Sequence, residues 1–159
     1  LPRKAWFNQM NELTKFYIQP YFGTDIVKFD MTPAEVVQAL GVAENQSTNH
    51  QGKLVAFRSY MNVAYSSEKR VDHIGFGRQM QEVHLGKINI FFDDPKVVLS
   101  ELIGLDSEVF LYLGFLFFFK LGFSLTGFHD GDEDQKALAL FTQGHWNSRK
   151  SKMKPFVLS

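Results

Sequence analysis

The 159-residue chain contains no cysteine. A disulfide framework, a thiolate metal site and a lipidated cysteine are therefore excluded for the sequence as given. Residues 1–16 also lack the apolar core of a secretory signal. We therefore expect a cytoplasmic protein. The sequence does not begin with methionine, and an export signal upstream would change that expectation.

An excess of charge of either sign is also absent. Lysine and arginine number 17, aspartate and glutamate number 17, and the formal net charge is zero. A chain-wide basic surface is therefore not expected. Among the alternative functions, nucleic-acid binding through the basic C-terminal end ranks last. The charges are locally uneven, because acidic residues crowd residues 130–134 and basic residues crowd residues 149–154.

Motifs of common enzymes are missing as well. The chain has no serine-nucleophile elbow and no phosphate-binding loop, and its GFG at residues 75–77 lacks the strand-to-helix context that such a loop requires. No catalytic residue, cofactor or metal is predicted, and we expect the protein not to be an enzyme. An enzyme or small-molecule binder using His73, His84 or His129 in a cleft stays open as an alternative. No two of the five histidines have the spacing of a helical zinc motif: His50, His73, His84, His129 and His145.

A well-marked helix start is present, and it occurs twice. Residues 31–41 read MTPAEVVQALG, with a threonine–glutamate capping box and a proline at the first helical position. Residues 94–104 read DPKVVLSELIG and place their apolar residues at the same positions. Each segment ends at a glycine followed by an apolar residue. The sequence therefore predicts two copies of one unit.

Strand patterns follow the first helix. After a polar connection at residues 42–52, residues 53–65 alternate between apolar and polar side chains, as a half-buried strand does. Residues 71–76 return as the partner strand, and VHLGKINIFF at residues 83–92 predicts a further strand. The first unit is thus predicted as a helix followed by three or four antiparallel strands.

The most apolar stretch of the chain is residues 109–128, with Lys120 as its only charge. Twenty such residues could span a membrane. Glycines, and an alternation of leucine and phenylalanine with small or polar residues, favour two strands of a hairpin instead. Residues 136–143 are predicted to return as their partner strand, and no membrane interaction is expected.

The predicted fold class is α+β, with two helix-plus-antiparallel-meander repeats forming one layered domain. Helices are expected on one face of an antiparallel sheet. Apolar residues at helical spacing over residues 4–18 add an N-terminal helix. The predicted organisation is an N-terminal helix, one domain of two repeats, and a basic C-terminal tail, at residues 1–19, residues 20–148 (repeats about 20–92 and 93–148) and residues 149–159.

The acidic turn, residues 130–134, carries four carboxylates. Its alternating aspartates resemble the opening of a calcium loop, but the sixth position is Gln135 rather than glycine and the twelfth is Phe141 rather than glutamate. A metal site is therefore not expected. A solvated hairpin turn is the ordinary interpretation, and a contact patch for a basic partner is the functional one.

Large amphipathic side chains are predicted on the mixed faces of the strands. If helices cover the apolar face of the sheet, these side chains face solvent and suit a protein interface. Ordinary exposed strand residues are the alternative. Trp146 is expected either to anchor a partner or to hold the tail against the core. The predicted partner-binding residues are Arg58, Tyr60, Lys120, Ser124, Phe128, Asp130, Asp132, Glu133, Asp134 and Trp146.

The segment that enters the first helix, together with the meander after it, carries a family resemblance. It resembles the repeat of β-lactamase-inhibitor-protein-like domains and of the small lipoproteins of the barrel-assembly machinery. The resemblance covers residues 20–145 and implies protein binding through the open face of a sheet. Asp30 stands where the family pattern leads us to expect glycine. The residues that carry the resemblance are Phe29, Asp30, Met31, Thr32, Glu35, Val36, Leu40 and Gly41.

Short cytoplasmic chains of this pattern also resemble immunity proteins of contact-dependent and polymorphic toxin systems. This resemblance implies a bacterial inhibitor that occludes a cognate toxin domain, such as a nuclease, in a stoichiometric complex. The lack of cysteine separates the chain from secreted inhibitors and from lipidated envelope proteins. An envelope assembly or scaffold protein of the same fold is the main alternative, and the oligomeric state is left open.

Overall fold

The computed structural model describes residues 9–158, and in this range the fold is α+β with sheet predominating. The coarse prediction of fold class is confirmed. The helices of this range are α1 (Pro33–Leu40), α2 (Pro95–Leu105) and the short α3 (Asn147–Lys150). None of them has both the length and the apolar run that crossing a bilayer requires.

Thirteen strands in the same range form two sheets. The strands are β1 (Phe16–Gln19), β2 (Gly23–Thr24), β3 (Asn45–Thr48), β4 (Leu54–Arg58), β5 (Met61–Tyr65), β6 (Val71–Gly77), β7 (Val83–Leu85), β8 (Ile88–Asn89), β9 (Val109–Tyr112), β10 (Phe115–Phe118), β11 (Phe123–Thr126), β12 (Ala137–Phe141) and β13 (Lys154–Pro155). The main sheet is antiparallel, in the order β13-β9-β10-β11-β12-β6-β5-β4-β3. The small sheet has the order β2-β1-β7-β8, in which β1 and β7 are parallel.

Both predicted helix starts are confirmed. Thr32 precedes α1, its hydroxyl accepts a hydrogen bond from the N–H of Glu35 at 3.3 Å, and the Glu35 carboxylate accepts the N–H of Thr32 at 2.9 Å. Asp94 precedes α2 and accepts the N–H of Lys96 at 2.9 Å. These contacts satisfy N–H groups that a helix leaves without partners at its first turn.

Each of these helices is followed by four neighbouring strands. α1 precedes β3 to β6, and α2 precedes β9 to β12. The last strand of each series lies at the centre of the main sheet, where β6 pairs with β12 and Ile74 lies opposite Leu140. The two series therefore join into one continuous sheet.

One face of the main sheet is buried. The register places Val63, Ile74, Leu140 and Phe123 side by side, and each is at most 2% exposed. The same hydrophobic core includes the buried residues of both long helices and of the small sheet. Those contributions are Val36 and Leu40 from α1, Val98, Leu99 and Leu102 from α2, and Phe16, Ile18, Val83 and Ile88 from the small sheet.

The predicted N-terminal helix is wrong for the part of it that the structure describes. Phe16–Gln19 forms strand β1, and residues 9–15 are not helical. Helical spacing assigns Leu13 and Tyr17 to an apolar face, but both are exposed. Tyr17 lies between the buried residues Phe16 and Ile18 of β1, as the period of a strand requires, and Leu13 lies in a turn. Residues 1–8, which hold the beginning of the predicted helix, lie outside the described residues.

Several strands also differ from the prediction. Residues 109–128 contain three strands rather than two, because turns with positive φ at Gly114 and Gly122 divide them. Residues 42–52, predicted to be a connection, contain the edge strand β3. Residues 83–92 contain the β7–β8 hairpin of the small sheet instead of a further strand of the main sheet.

Arg58 lies on the buried face, so the prediction that it faces solvent is wrong. Its side chain is almost completely buried, and burial lowers the pKa of the guanidinium, while the neighbouring Tyr65 opposes that shift. The alternation of residues 53–65 is interrupted by a two-residue turn, which places Arg58 directly opposite Met61. Residues opposite each other share a face, so the turn reverses the predicted orientation of the first strand.

Candidate functional site

Small residues form the centre of the opposite, open face of the main sheet. On β6 and β12 the register pairs Gly75 with Ala139 and Gly77 with Ala137. These four positions form the floor of a depression of about 330 Å³, which we call the trough. Its wall includes Phe57, Tyr60, Asn62 and His73. At these four positions β6 and β12 carry no side chain larger than a methyl group, whereas Asn62 on β5 stands directly opposite Gly75.

Two aromatic side chains stand partly free at the rim of the trough. Phe57 is 38% exposed and Tyr60 is 50% exposed. Tyr60 lies in the two-residue turn between β4 and β5, and Phe57 lies on β4 directly opposite Asn62. A concave surface with aromatic rings at its edge offers apolar area that a partner can bury.

The inner end of the trough is polar. Asn62 and His73 line both the trough and an adjoining cavity of about 220 Å³, which Lys53, Asp72 and His145 also line. Lys53 Nζ lies 3.6 Å from Asp72 Oδ2. The Nδ1 atom of His73 is buried and has no hydrogen-bond partner in the described part of the chain.

Burial governs the protonation of the two histidines at this end. Burial lowers the pKa of His73, Asp72 opposes that shift and His145 adds to it. The pKa of His145 is also lowered by burial, with Asp72 acting in the opposite direction and Lys53 in the same one. Both imidazoles are therefore neutral near pH 7, and a neutral imidazole offers one hydrogen-bond donor and one acceptor.

The three histidines of the enzyme alternative do not converge in one cleft. His73 lines the trough, whereas His84 Nε2 lies 2.8 Å from Glu82 Oε1 and its ring stacks on Tyr17. His129 lines a separate cavity beside Phe156. Within residues 9–158, no group of three or more histidine, aspartate or glutamate side chains is arranged to hold a metal ion.

The C-terminal segment, residues 142–158, covers another part of the open face. The ring of Trp146 lies 4.8 Å from that of Phe117 on β10, and Met153 is buried in the same aromatic cluster. Lys150 Nζ lies 3.2 Å from Glu108 Oε1. The predicted basic tail includes β13, which pairs with β9. Trp146 therefore holds this segment on the sheet, which corresponds to the second of its two predicted roles.

Three turns lie at one end of the main sheet. The register places residues 59–60, residues 113–114 and the acidic turn beyond the same ends of their strands. Leu113 is 75% exposed at the tip of the β9–β10 hairpin, and Phe115 beside it is 42% exposed. Tyr60, Leu113 and the acidic turn thus form one end of the molecule with both apolar and acidic side chains.

Two carboxylates of the acidic turn are already paired. Glu133 Oε1 lies 2.7 Å from Lys136 Nζ, and Asp134 Oδ1 lies 3.4 Å from Arg78 Nη2. Asp130 accepts the main-chain N–H of Asp132 at 3.2 Å, and both residues are exposed. The negative charge that this turn presents to a partner therefore resides mainly on Asp130 and Asp132.

The other predicted partner-binding residues do not share this end. Ser124 is 6% exposed and Phe128 is 4% exposed, so the prediction that both face solvent is wrong. Gly127, with φ of +80°, turns the chain so that the next residue, Phe128, enters the core. Lys120 is exposed, but it lies in the β10–β11 turn at the opposite end of the sheet.

Sequence reasoning missed most of the trough. Its signal is a pair of small residues two positions apart on each of two strands, Gly75 and Gly77 in HIGFG at residues 73–77 and Ala137 and Ala139 in ALALF at residues 137–141. This pattern indicates a face without side chains, but only the pairing of β6 with β12 places the two small stretches side by side. The side chains missed on the wall are Phe57 and Asn62, whereas His73 was named only as part of the enzyme alternative.

Comparisons with models of protein families, with curated proteins and with solved structures find no match. The resemblance to inhibitor and immunity proteins therefore stays a prediction, and the site is interpreted from its own geometry.

Proposed function

We propose that this protein is a non-enzymatic inhibitor that binds a partner protein with the open face of its main sheet. The partner that we propose is a cognate toxin domain, which the protein neutralises by stoichiometric occlusion in the bacterial cytoplasm. The observation that carries the proposal is the trough, a depression of about 330 Å³ with a floor of glycine and alanine and half-exposed aromatic rings at its rim.

The composition of the trough suits a protein partner. Interface energy is concentrated in a few aromatic anchors around which water is excluded. Phe57 and Tyr60 offer such anchors on one side of the floor, and the small side chains of the floor leave room for a segment of the partner.

The end of the sheet next to the trough supports the same proposal. Leu113 and Phe115 present apolar surface at a hairpin tip, and Asp130 and Asp132 present negative charge beside it. Acidic groups at the rim of an interface speed the encounter with a basic partner more than they add to affinity. A basic toxin domain such as a nuclease fits this arrangement.

The choice of a toxin as partner rests on the resemblance to immunity proteins. The order of elements supports the two-repeat architecture that the resemblance implies, because α1 with β3 to β6 and α2 with β9 to β12 follow the same plan. On this interpretation the helices cover the apolar face of the sheet and leave the open face for binding.

The proposal is tested by coexpression with the toxin domain encoded by the reading frame next to the gene of this protein. The wild type should restore growth and form an equimolar complex by size-exclusion chromatography. Ala139→Trp fills the floor of the trough and should abolish both effects while circular dichroism stays native. Ala34→Trp, the same substitution at an exposed position of α1, should behave as the wild type.

Two results would contradict the proposal in different ways. A toxin that kills in the presence of the wild type contradicts the inhibitory function. Equal protection by wild type, Ala139→Trp and Ala34→Trp leaves the function intact but removes the trough as the contact surface.

A further inference from the structure

We infer that the free edge of the main sheet at β3 pairs with β3 of a second copy of this chain, so that two main sheets join into one antiparallel sheet. The ligand of this edge is therefore an identical strand, bound through main-chain N–H and C=O groups. The inference does not rest on the proposed function, because it concerns the contact between two copies and not the contact with a toxin domain.

The strands that end the two sheets differ in length and composition. β2, β8 and β13 have two residues each, and β13 consists of Lys154 and Pro155. Very short strands, lysine and proline are among the means by which proteins prevent pairing along a sheet edge. β3 has four residues, NQST, with neither a charge nor a proline. Within residues 9–158, β3 is thus the one sheet edge that lacks all three of these means.

The nearest acidic side chain does not protect this edge either. Glu44 precedes β3, but its carboxylate accepts the N–H of Ser59 at 2.8 Å, in the β4–β5 turn. The carboxylate is therefore directed across β4, away from the free side of β3. All four side chains of β3 are exposed, so no segment of the described range lies over them.

The register with β4 identifies the main-chain groups that β3 leaves free. The N–H of Asn49 donates to the oxygen of Lys53 at 2.9 Å, and the register is unbroken along β3. In an antiparallel pair every second residue bonds the neighbouring strand, so Ser47 bonds β4, whereas Gln46 and Thr48 point their N–H and C=O groups away from it. No other strand of residues 9–158 lies on that side.

A twofold axis at Ser47 satisfies these groups. Antiparallel pairing about this axis places Gln46 of each copy opposite Thr48 of the other, and each such pair exchanges both of its N–H···O=C hydrogen bonds. Ser47 then lies opposite Ser47 of the second copy. Like charges that lie opposite each other destabilise a strand pair, and the uncharged sequence of β3 avoids them.

An identical strand fits this edge better than a strand of another protein. The addition of a foreign strand takes its specificity from pockets beside the edge that receive alternate side chains. β3 presents exposed polar side chains at all four positions and offers no apolar anchor for such a strand. Twofold pairing needs no anchor, because the same residues supply both sides of the contact and set its register.

Light scattering on a dilution series of the wild type measures the association. The mass should approach twice that of one chain at high concentration and return to that of one chain on dilution, because the contact is small. Thr48→Pro removes an N–H group on the free side and should be monomeric at every concentration, while circular dichroism stays native. Thr48→Val keeps that N–H group and should dimerise as the wild type does.

A cysteine at the twofold axis tests the register. The chain has no cysteine of its own, and Ser47 meets its own copy in a pair without main-chain hydrogen bonds, where side chains are closest. Ser47→Cys should therefore form a disulfide-linked dimer on mild oxidation. Asn45→Cys is the matched control on the same strand, and it should not cross-link, since the two cysteines would be about 13 Å apart along the strands.

The inference is overturned by a wild type that is monomeric at every concentration, or by a dimer that persists in Thr48→Pro. A dimer in which Asn45→Cys cross-links and Ser47→Cys does not also overturns it. Loss of toxin neutralisation in Thr48→Pro, with a monomeric wild type, would assign the edge to the toxin instead. A monomer that neutralises the toxin refutes only this inference, and a dimer that fails to neutralise it refutes only the proposed function.

Discussion

The Nε atom of Arg58 donates a hydrogen bond to the main-chain oxygen of Gly41 over 2.9 Å. A charged side chain of the β4–β5 hairpin thereby caps the C-terminal end of α1, where a helix carries partial negative charge. The guanidinium is 1% exposed, so the contact joins the helix to the sheet inside the protein.

Removal of this contact should destabilise the fold. Arg58→Ala leaves a cavity and an unsatisfied carbonyl, and we expect the free energy of unfolding to fall by about 3 kcal/mol in urea titrations. Arg58→Met fills most of the volume and should cost less. Arg149→Ala, at an exposed position, should stay within about 0.5 kcal/mol of the wild type. Equal stability of the two alanine variants would contradict a structural role for Arg58.

Removal of the Asp106 carboxylate, which binds the β10–β11 turn, should also lower the free energy of unfolding. Its buried carboxylate accepts main-chain N–H groups of Glu108 at 2.7 Å, Lys120 at 2.9 Å and Leu121 at 3.0 Å. Asp106→Ala leaves these donors without that acceptor and should lower the free energy of unfolding by about 3 kcal/mol or more. Asp106→Asn retains one acceptor oxygen and should lose less. Asp132→Ala serves as the exposed control, and a comparable loss there would contradict the prediction.

The stability should decrease at mildly acidic pH because of His73. Burial lowers its pKa in the folded state, whereas in the unfolded state it titrates near about 6.5. Below that pH the unfolded chain binds more protons than the folded one, so the free energy of unfolding falls with pH. Asp72 opposes the shift, and His145, whose pKa is also lowered, contributes in the same direction.

Urea titrations between about pH 7.5 and about pH 5.5 check this prediction. His73→Gln should lose less stability over this range than the wild type, with a residual dependence from His145. His50→Gln, at an exposed position, serves as the control and should follow the wild type. A His73→Gln curve parallel to that of the wild type would refute the assignment.

Substitution of Leu113 by asparagine should raise the stability of the protein and weaken its binding to the partner. Leu113 has φ of +50° and Gly114 has φ of +85°, a combination of two positive angles that favours asparagine followed by glycine in a two-residue hairpin turn. Leu113→Asn should therefore raise the free energy of unfolding by about 1 kcal/mol. The same variant should weaken binding of the toxin domain, because it removes an exposed apolar anchor.

A matched control for this variant is Leu105→Asn, at an exposed position at the end of α2. The backbone there is helical, so asparagine brings no gain in stability. Calorimetry and titration with the toxin domain measure the two effects. A Leu113→Asn variant that binds as tightly as the wild type would exclude the hairpin tip from the interface.

Features that depend on residues close together in the chain could be predicted, whereas features that depend on distant residues or on the strand pairing could not. The starts of α1 and α2 were predictable because their caps join residues at most three positions apart, such as Thr32 and Glu35. The orientation of the Arg58 side chain was not predictable, because a two-residue turn decides which face of the sheet it occupies. For the candidate site, Tyr60 and the acidic turn were identified as partner-binding residues. Asn62 was missed and His73 was named only for the enzyme alternative, because the trough and the adjoining cavity also need residues of β12 and His145.

By itself the sequence determined the α+β class and the beginnings of both long helices, because the helix starts depend on neighbouring residues and on short-range hydrogen bonds. Only the tertiary structure decided that β6 lies beside β12. That pairing joins residues far apart in the chain, and its register follows from burying one apolar face as a whole. It brings Gly75 next to Ala139 and so forms the floor of the trough on the face opposite the buried one.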